Sequence, residues 1–324
     1  MIVNKTNKQR LWQFDMLKLI AIYSVILGHV ILHSGYNWHD AFGLPINTFI
    51  YTFHLPLFMT ISGFFSSFSD KDKLKKRILQ LIIPVISFSF INIFLNHIYN
   101  IKIDLWFIPS LIICNLIVYF FLIFGKSNSI RFIIVFVISS LIILSASIRY
   151  LQEYQLLWML PFFILGILLK KNINKIKGKK LLVFIISCLL YLFLVIFIYD
   201  YTYTFDISGM KIITRDGIQT EIVIISLIRY LSSFSIVMTF FSLSLMLPTP
   251  SMPFMKIFSI GRYTLEIYIL SMCLDKYHLS LPTNNGTIYQ MISIPIALCI
   301  LILCYVLTKL INNSKVLKKV VFGK

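Results

Sequence analysis

Long apolar runs follow one another along the whole chain, separated by short segments rich in charge, Gly, Pro or Asn. A helix needs about 20 apolar residues to cross the hydrocarbon core of a bilayer, and many of these runs reach that length. Because the bilayer offers the backbone no hydrogen-bond partners, such runs fold as helices whose amide groups bond within the segment. The pattern therefore predicts an all-α, polytopic transmembrane helical bundle of about ten helices.

The predicted spans use up nearly all of the 324 residues, so a single membrane domain covers residues 1–324. The composition agrees, because 58% of the residues are hydrophobic and 13% are charged, against roughly 45–50% and about 25% in soluble domains. We expect the spans near residues 12–33, 44–68, 77–98, 103–124, 131–149, 154–170, 180–200, 221–247, 255–275 and 286–312.

The formal net charge of +18 comes from Lys and Arg residues that lie mainly between the apolar runs. A nucleic-acid-binding protein would gather such residues in a stripe on a solvated domain, so no nucleic-acid partner is predicted. Short cytoplasmic loops of membrane proteins carry an excess of Lys and Arg. The basic segments at 71–77, 170–180 and 309–324 fall on one side of the membrane if both termini are cytoplasmic. The charge distribution thus predicts an even number of spans and an outer connection at 200–221.

The first predicted helix carries three ionisable residues, Asp15, Lys18 and His29. Ionisable residues at membrane depth usually mark function or a paired partner. Eleven residues bring a helix back to within about 20° of its start, so Lys18 and His29 share one face roughly 16 Å apart. The alternative is that Asp15 and Lys18 reach to the membrane surface while His29 caps the outer end of the helix.

The second predicted helix carries His54 beside Pro56, at a depth close to that of His29. Two histidines from neighbouring helices can take a proton from an alcohol and so form a candidate catalytic pair. They can also bind a metal ion, but the sequence offers no third carboxylate or Cys at that depth, so no metal site is predicted. Ser62 and Gly63, further along the same helix, are small residues that allow close helix packing.

Six short motifs occur in order along the chain. They are FDMLKLIAIYSVILGHV with Lys18 and His29, FHLPLFMTISGFF from Phe53, KKRILQLIIP from Lys75, LWFIP from Leu105, LPFFILG from Leu160 and GRYTLEIYIL from Gly261. In this order they resemble the acyltransferase family 3 membrane proteins, which include O-acetyltransferases of surface polysaccharides, and the resemblance covers essentially the whole chain. Many relatives carry a histidine where this chain has Ser271, so the role of that histidine does not transfer. The first basic position is often Arg, and Lys18 lacks the bidentate fork of Arg for a phosphate.

The resemblance implies an enzyme, a membrane O-acyltransferase of the bacterial cytoplasmic membrane. It would move an acetyl or other acyl group from cytoplasmic acetyl-CoA to a hydroxyl of a cell-envelope glycan or lipid-linked sugar. His29 and His54 are the catalytic candidates, with His29 either as general base on the acceptor hydroxyl or as a nucleophile that forms an acetyl-imidazole.

Two further groups of residues are candidates for binding and orienting the substrates. Those for the coenzyme A phosphates are Lys18, Lys75, Lys76 and Arg77, because cations form charge-assisted bonds to phosphate. A solvated positive-inside loop is the alternative for each of these lysines. The candidate orienting groups are Asp15, Trp106, Arg262, Glu266 and Tyr268. Glu266 follows Arg262 by one helical turn, so a local ion pair is the alternative for those two.

Two other classes of function stay open at this point. A proton-coupled transporter or glycan flippase also places His, Lys and Glu inside the membrane. A sensor or scaffold is a third hypothesis, but it has no need of two intramembrane histidines. The motif order and the paired histidines favour the acyltransferase.

The positive-inside pattern predicts the membrane orientation of the loops. A green fluorescent protein fused after residue 178 or after residue 324 should fluoresce, because both points are expected in the cytoplasm. Alkaline phosphatase fused after residue 209 should be active, because that connection is expected outside. An external residue 324, or an odd number of spans, would contradict the prediction.

Overall fold

The computed structural model describes residues 11–33, 44–68, 71–99, 105–124, 156–198, 213–214, 217–218, 220–274 and 285–324. The helices are α1 (Trp12–His33), α2 (Pro45–Phe65), α3 (Lys71–Tyr99), α4 (Phe107–Phe124), α5 (Leu156–Lys171), α6 (Ile173–Gly178), α7 (Lys180–Phe197), α8 (Thr220–Met246), α9 (Met252–Phe258), a 3₁₀ helix (Ser259–Tyr263), α10 (Thr264–Leu274), α11 (Gly286–Asn313) and α12 (Lys315–Phe322). Two short antiparallel strands, β1 (Ile213–Thr214) and β2 (Gly217–Ile218), lie in the connection before α8. The predicted span at 131–149 lies outside the described residues.

Six helical segments in the described ranges are long and apolar enough to cross a membrane. They are Trp12–Leu32, Pro45–Phe65, Lys180–Phe197, Leu227–Met246, Met252–Leu274 and Gly286–Asn313. The predicted class, a polytopic all-α membrane bundle, is therefore confirmed apart from the small hairpin. The total of about ten spans stays a prediction, as does the single domain.

Helices α2 and α5 cross with their backbones in direct contact. A Cβ atom added to Gly63 would lie 1.9 Å from the carbonyl oxygen of Phe163, and one added to Gly166 would lie 1.9 Å from the carbonyl oxygen of Thr60. No side chain fits at such distances. Small residues supply this close approach in membranes, where lipid tails are as apolar as the helices and association depends on packing.

Helix α1 runs through the centre of the bundle, and Ile22 and Ile31 on it are fully buried. A Cβ atom on Gly261 would lie 2.0 Å from the carbonyl oxygen of Asp15, so the 3₁₀ helix is pressed against the start of α1. Towards the other end, Gly28 packs against Tyr51 of α2, whose ring would lie 3.4 Å from an added Cβ atom. These contacts hold α1 against α2 and the 3₁₀ helix.

The C-terminal end of α2 is tied to two neighbouring helices by basic side chains. Arg77 Nη2 of α3 donates to the carbonyl oxygen of Ser62 at 3.1 Å. Lys170 Nζ of α5 donates to the carbonyl oxygen of Ser66, just after α2, at 2.9 Å. The last carbonyls of a helix have no partners within it and carry partial negative charge, so cations stabilise them. Positive charge is thereby concentrated around the end of α2.

The α2–α5 contact predicts a strong effect of a single methyl group. Gly63→Ala should lower the stability by about 1–3 kcal/mol or more, because the clash is with a backbone carbonyl that cannot turn away. Thermal melting of the detergent-solubilised protein measures this. Gly178→Ala is the matched control, since nothing lies within 4 Å of an added Cβ atom there. Equal melting temperatures for the two variants would contradict the packing argument.

Candidate functional site

A cavity of about 460 Å³ lies between α1, α2, α3, the start of α10 and the residues after α12. Its ionisable lining residues are Lys18, Lys73, Arg77, Arg262, Glu266 and Lys324. Five of these six carry positive charge. A cleft lined by one sign of charge concentrates ions of the opposite sign, so this cavity is suited to a polyanionic ligand.

Two of the residues predicted to bind phosphate line this cavity. Lys18 Nζ lies over the ring of Phe65 at 4.7 Å from its centre, and Arg77 contacts the end of α2. Lys75 and Lys76 are exposed on α3 and are not among the lining residues. Lys73, which the sequence analysis did not select, does line the cavity. The helical period explains the difference, because residues 73 and 77 are four apart and share a face, whereas 75 and 76 turn away.

Three of the predicted orienting residues also lie at this cavity or beside it. Arg262 Nε is 3.9 Å from Asp15 Oδ2, which joins the 3₁₀ helix to α1. Glu266 Oε1 accepts a hydrogen bond from Lys324 Nζ. Arg262 and Glu266 thus have partners from distant parts of the chain, and not the local pair considered as the alternative.

Trp106 and Tyr268, the other predicted orienting residues, contact one aromatic ring. Phe107 lies between them, with its centre 6.1 Å from the Trp106 ring and 5.8 Å from the Tyr268 ring, both edge-on. Neither residue is among those that line the cavity. Their position is therefore in the packing between α4 and α10.

His54 is buried in α2, and its contacts fix the orientation of its ring. Nδ1 lies 2.7 Å from the carbonyl oxygen of Ile50. A carbonyl can only accept, so Nδ1 carries the hydrogen and donates it, and Nε2 of the neutral ring is left as the acceptor. The ring of Tyr51 packs edge-on at 4.8 Å. His54 therefore has the tautomer in which Nε2 can take a proton.

His29 is half-buried near the C-terminal end of α1, next to the packing residue Gly28. Gly28 packs against Ile50 and Tyr51, the two residues that contact His54. The structure thus brings the two predicted catalytic histidines into one neighbourhood, which also contains Asn47, Ile50 and Tyr51 of α2.

Arg229 lies on α8, a helix that packs against α2, and was not among the site residues predicted from the sequence. Its side chain is 4% exposed, and its guanidinium carbon lies 4.1 Å from the centre of the Trp158 ring. A signal was present in the sequence, because Arg229 is nine residues, or about 13 Å, into an apolar run.

The site therefore has two parts that share α1 and α2. Lys18 is in the basic cavity and His29 is in the histidine neighbourhood, and their separation along α1 is roughly 16 Å. Neither histidine is among the residues that line the cavity, so the cavity and the histidine neighbourhood are two separate features of the same pair of helices.

Residues 11–311 match the family described as an acyltransferase domain. The chain belongs to acyltransferase family 3. Two curated relatives share part of the sequence. Nodulation protein NolL of Mesorhizobium japonicum is 41% identical over 87 residues, which cover 25% of this chain and 23% of that protein. Nodulation protein NolL of Sinorhizobium fredii is 40% identical over 79 residues, 22% of each chain.

The matched segment spans about a quarter of the length of these relatives. No solved structure matches this member of the acyltransferase family. The match to the family extends over α1 to almost the end of α11, so it includes Lys18, Arg77, His29, His54 and Arg229. It ends before α12, and Lys324 is thus outside it.

Proposed function

We propose that this membrane protein is an O-acetyltransferase that moves an acetyl group from acetyl-CoA to a hydroxyl of a cell-envelope glycan or lipid-linked sugar. The observation that supports this most is that a basic cavity and a pair of histidines occur on the same two helices, α1 and α2. Membership of the acyltransferase family supports the type of reaction. The positive-inside pattern supports a cavity that opens to the cytoplasm of a bacterial cell, where acetyl-CoA is made.

The donor binds with its phosphates in the basic cavity. Lys18, Lys73 and Arg262 offer charge-assisted bonds to phosphate oxygens there. Arg77 holds the end of α2 and adds its charge to the same cavity. The pantetheine arm then follows the face of α1 from Lys18 towards His29, which brings the thioester to the histidines.

The transfer itself uses His29 as general base. The acceptor hydroxyl gives its proton to His29 while its oxygen attacks the thioester carbonyl carbon. The tetrahedral intermediate then collapses, the carbon–sulfur bond breaks, and the leaving thiolate takes up a proton to give coenzyme A. An acetyl-imidazole on His29, formed first and then attacked by the hydroxyl, gives the same products. His54, fixed by Ile50, orients the reacting groups.

Arg229 supplies the positive charge that this reaction needs. The carbonyl oxygen becomes an oxyanion in the tetrahedral intermediate, and a fixed cation in a dry site stabilises it strongly. The guanidinium is held in place by the face of the Trp158 ring. Such a contact orients the guanidinium group.

The role of His29 is tested by acetylation of envelope glycan with radiolabelled acetyl-CoA. His29→Ala should lower turnover per folded molecule by about 10²–10⁴-fold, the usual effect of removing a general base. Tyr23→Phe is the matched control on the same helix, because it removes only the hydrogen bond to the carbonyl oxygen of Ile294. Unchanged turnover in His29→Ala would refute the scheme. Flux of glycan in proteoliposomes without acetyl transfer would instead support the transporter.

The role of Arg229 is tested by separating kcat from KM. Arg229→Met should lower kcat by about 10²–10³-fold, as loss of an oxyanion-stabilising group does. The KM for acetyl-CoA should change little, because Arg229 does not line the donor cavity. Arg229→Lys keeps the charge and should retain more activity than Arg229→Met. Thermal melting establishes that both variants are folded. Equal kcat values for the two folded variants would show that Arg229 does not act through its charge.

A further inference from the structure

Glu266 is the acidic residue in a cavity otherwise lined by positive charge. It is 1% exposed. Its Oε1 is bonded to Lys324, and its Oε2 has no hydrogen-bond partner among the described residues. Buried polar atoms are nearly always hydrogen-bonded, because an unsatisfied one destabilises the fold. Glu266 lines the cavity, so its unpartnered oxygen is a candidate acceptor for a donor group of a bound ligand.

Lys324 is held in place by the residues before it. Phe322 is fully buried, and Gly323 adopts the left-handed conformation, with φ of 66°, that ends α12. The Gly323 amide donates to the carbonyl oxygen of Lys319 at 3.1 Å. A Cβ atom on Gly323 would lie 3.0 Å from Cα of Gln80, so this turn is packed on α3. The Lys324 side chain is thereby directed to Glu266.

A carboxylate repels phosphate, so Glu266 cannot be a phosphate ligand in this cavity. Its unpartnered oxygen, Oε2, is suited to a neutral N–H or O–H group of the same ligand. We infer that Glu266 and Lys324 form an acceptor subsite for the neutral part of the acyl carrier: Lys324 holds Oε1, and Oε2 accepts a hydrogen bond from an amide or hydroxyl of the carrier. This rests on the proposed function, which assigns the cavity to acyl-CoA. Lys324 is a positioning residue in this arrangement.

The subsite distinguishes coenzyme A from a bare polyphosphate. Coenzyme A has amide and alcohol hydroxyl groups beside its phosphates, whereas inorganic pyrophosphate has neither. The measured quantity is therefore a selectivity, the ratio of the dissociation constants of pyrophosphate and coenzyme A. Isothermal titration calorimetry of the purified protein in detergent micelles gives both constants. A general change in the positive charge of the cavity alters both dissociation constants, so its effect largely cancels in their ratio.

Glu266→Gln is the first variant. Lys324 can donate only to the amide oxygen of the new side chain, so the amide NH₂ occupies the position of Oε2 and the acceptor is lost. The selectivity for coenzyme A should fall by about tenfold or more, the effect of one hydrogen bond to a charged group. Pyrophosphate should bind as tightly as before or more tightly, because a negative charge has been removed.

The positioning role of Lys324 is tested in the Glu266→Gln background. Adding Lys324→Met frees the amide to turn its oxygen towards the cavity, so the double variant should recover part of the selectivity for coenzyme A. Lys73→Met is the matched control, because it removes one cavity-lining charge and should weaken both ligands with the selectivity unchanged. Thermal melting establishes that each variant is folded.

Two results would overturn the inference alone. One is a Glu266→Gln variant whose selectivity equals that of the wild type, and the other is a double variant with no recovery. Failure of the proposed function looks different: the wild-type protein then binds pyrophosphate without preferring coenzyme A. Loss of selectivity in the single variant together with its recovery in the double variant supports the inference.

Discussion

The close contact between the backbones of α2 and α5 is the constraint on which the rest of the site depends. Gly63 and Gly166 each lie against a carbonyl of the other helix, so neither helix can slide or rotate without a clash. Helix α2 carries His54 in its middle and the carbonyls that bind Arg77 and Lys170 at its end. Fixing this one helix therefore fixes the height of the histidine relative to the basic cavity.

The basic residues at the cavity end have more than one role. Cytoplasmic loops need positive charge to set the orientation in the membrane, and the same charge stabilises the C-terminal carbonyls of α2. Other basic residues at this end, Lys18 and Lys73 among them, line the cavity. Lys18, which shares α1 with His29, contacts the aromatic face of Phe65, and this contact keeps the ammonium near the helix end.

Much of the helical arrangement could be predicted, because an apolar run by itself indicates a membrane helix and a small residue by itself indicates a close helix contact. The pairing of Lys18 with Arg77 in one cavity also followed from their places at the same ends of two helices. Lys324 could not be predicted, since its contact with Glu266 depends on how α12 folds back against α3 and no pattern in the sequence specifies that turn. The position of Arg229 inside an apolar run was a local signal of a functional residue. Its place beside α2 arises only from the packing of α8.

The hydrogen bond from His54 to Ile50 limits what this imidazole does with a proton. A relay histidine accepts a proton on one nitrogen and releases a proton from the other. Here the second nitrogen faces a peptide carbonyl, and that group does not take the proton away. Any proton that reaches His54 must leave by the atom through which it came. The ring is therefore suited to orienting a group through Nε2, the nitrogen that the contact with Ile50 leaves available as an acceptor.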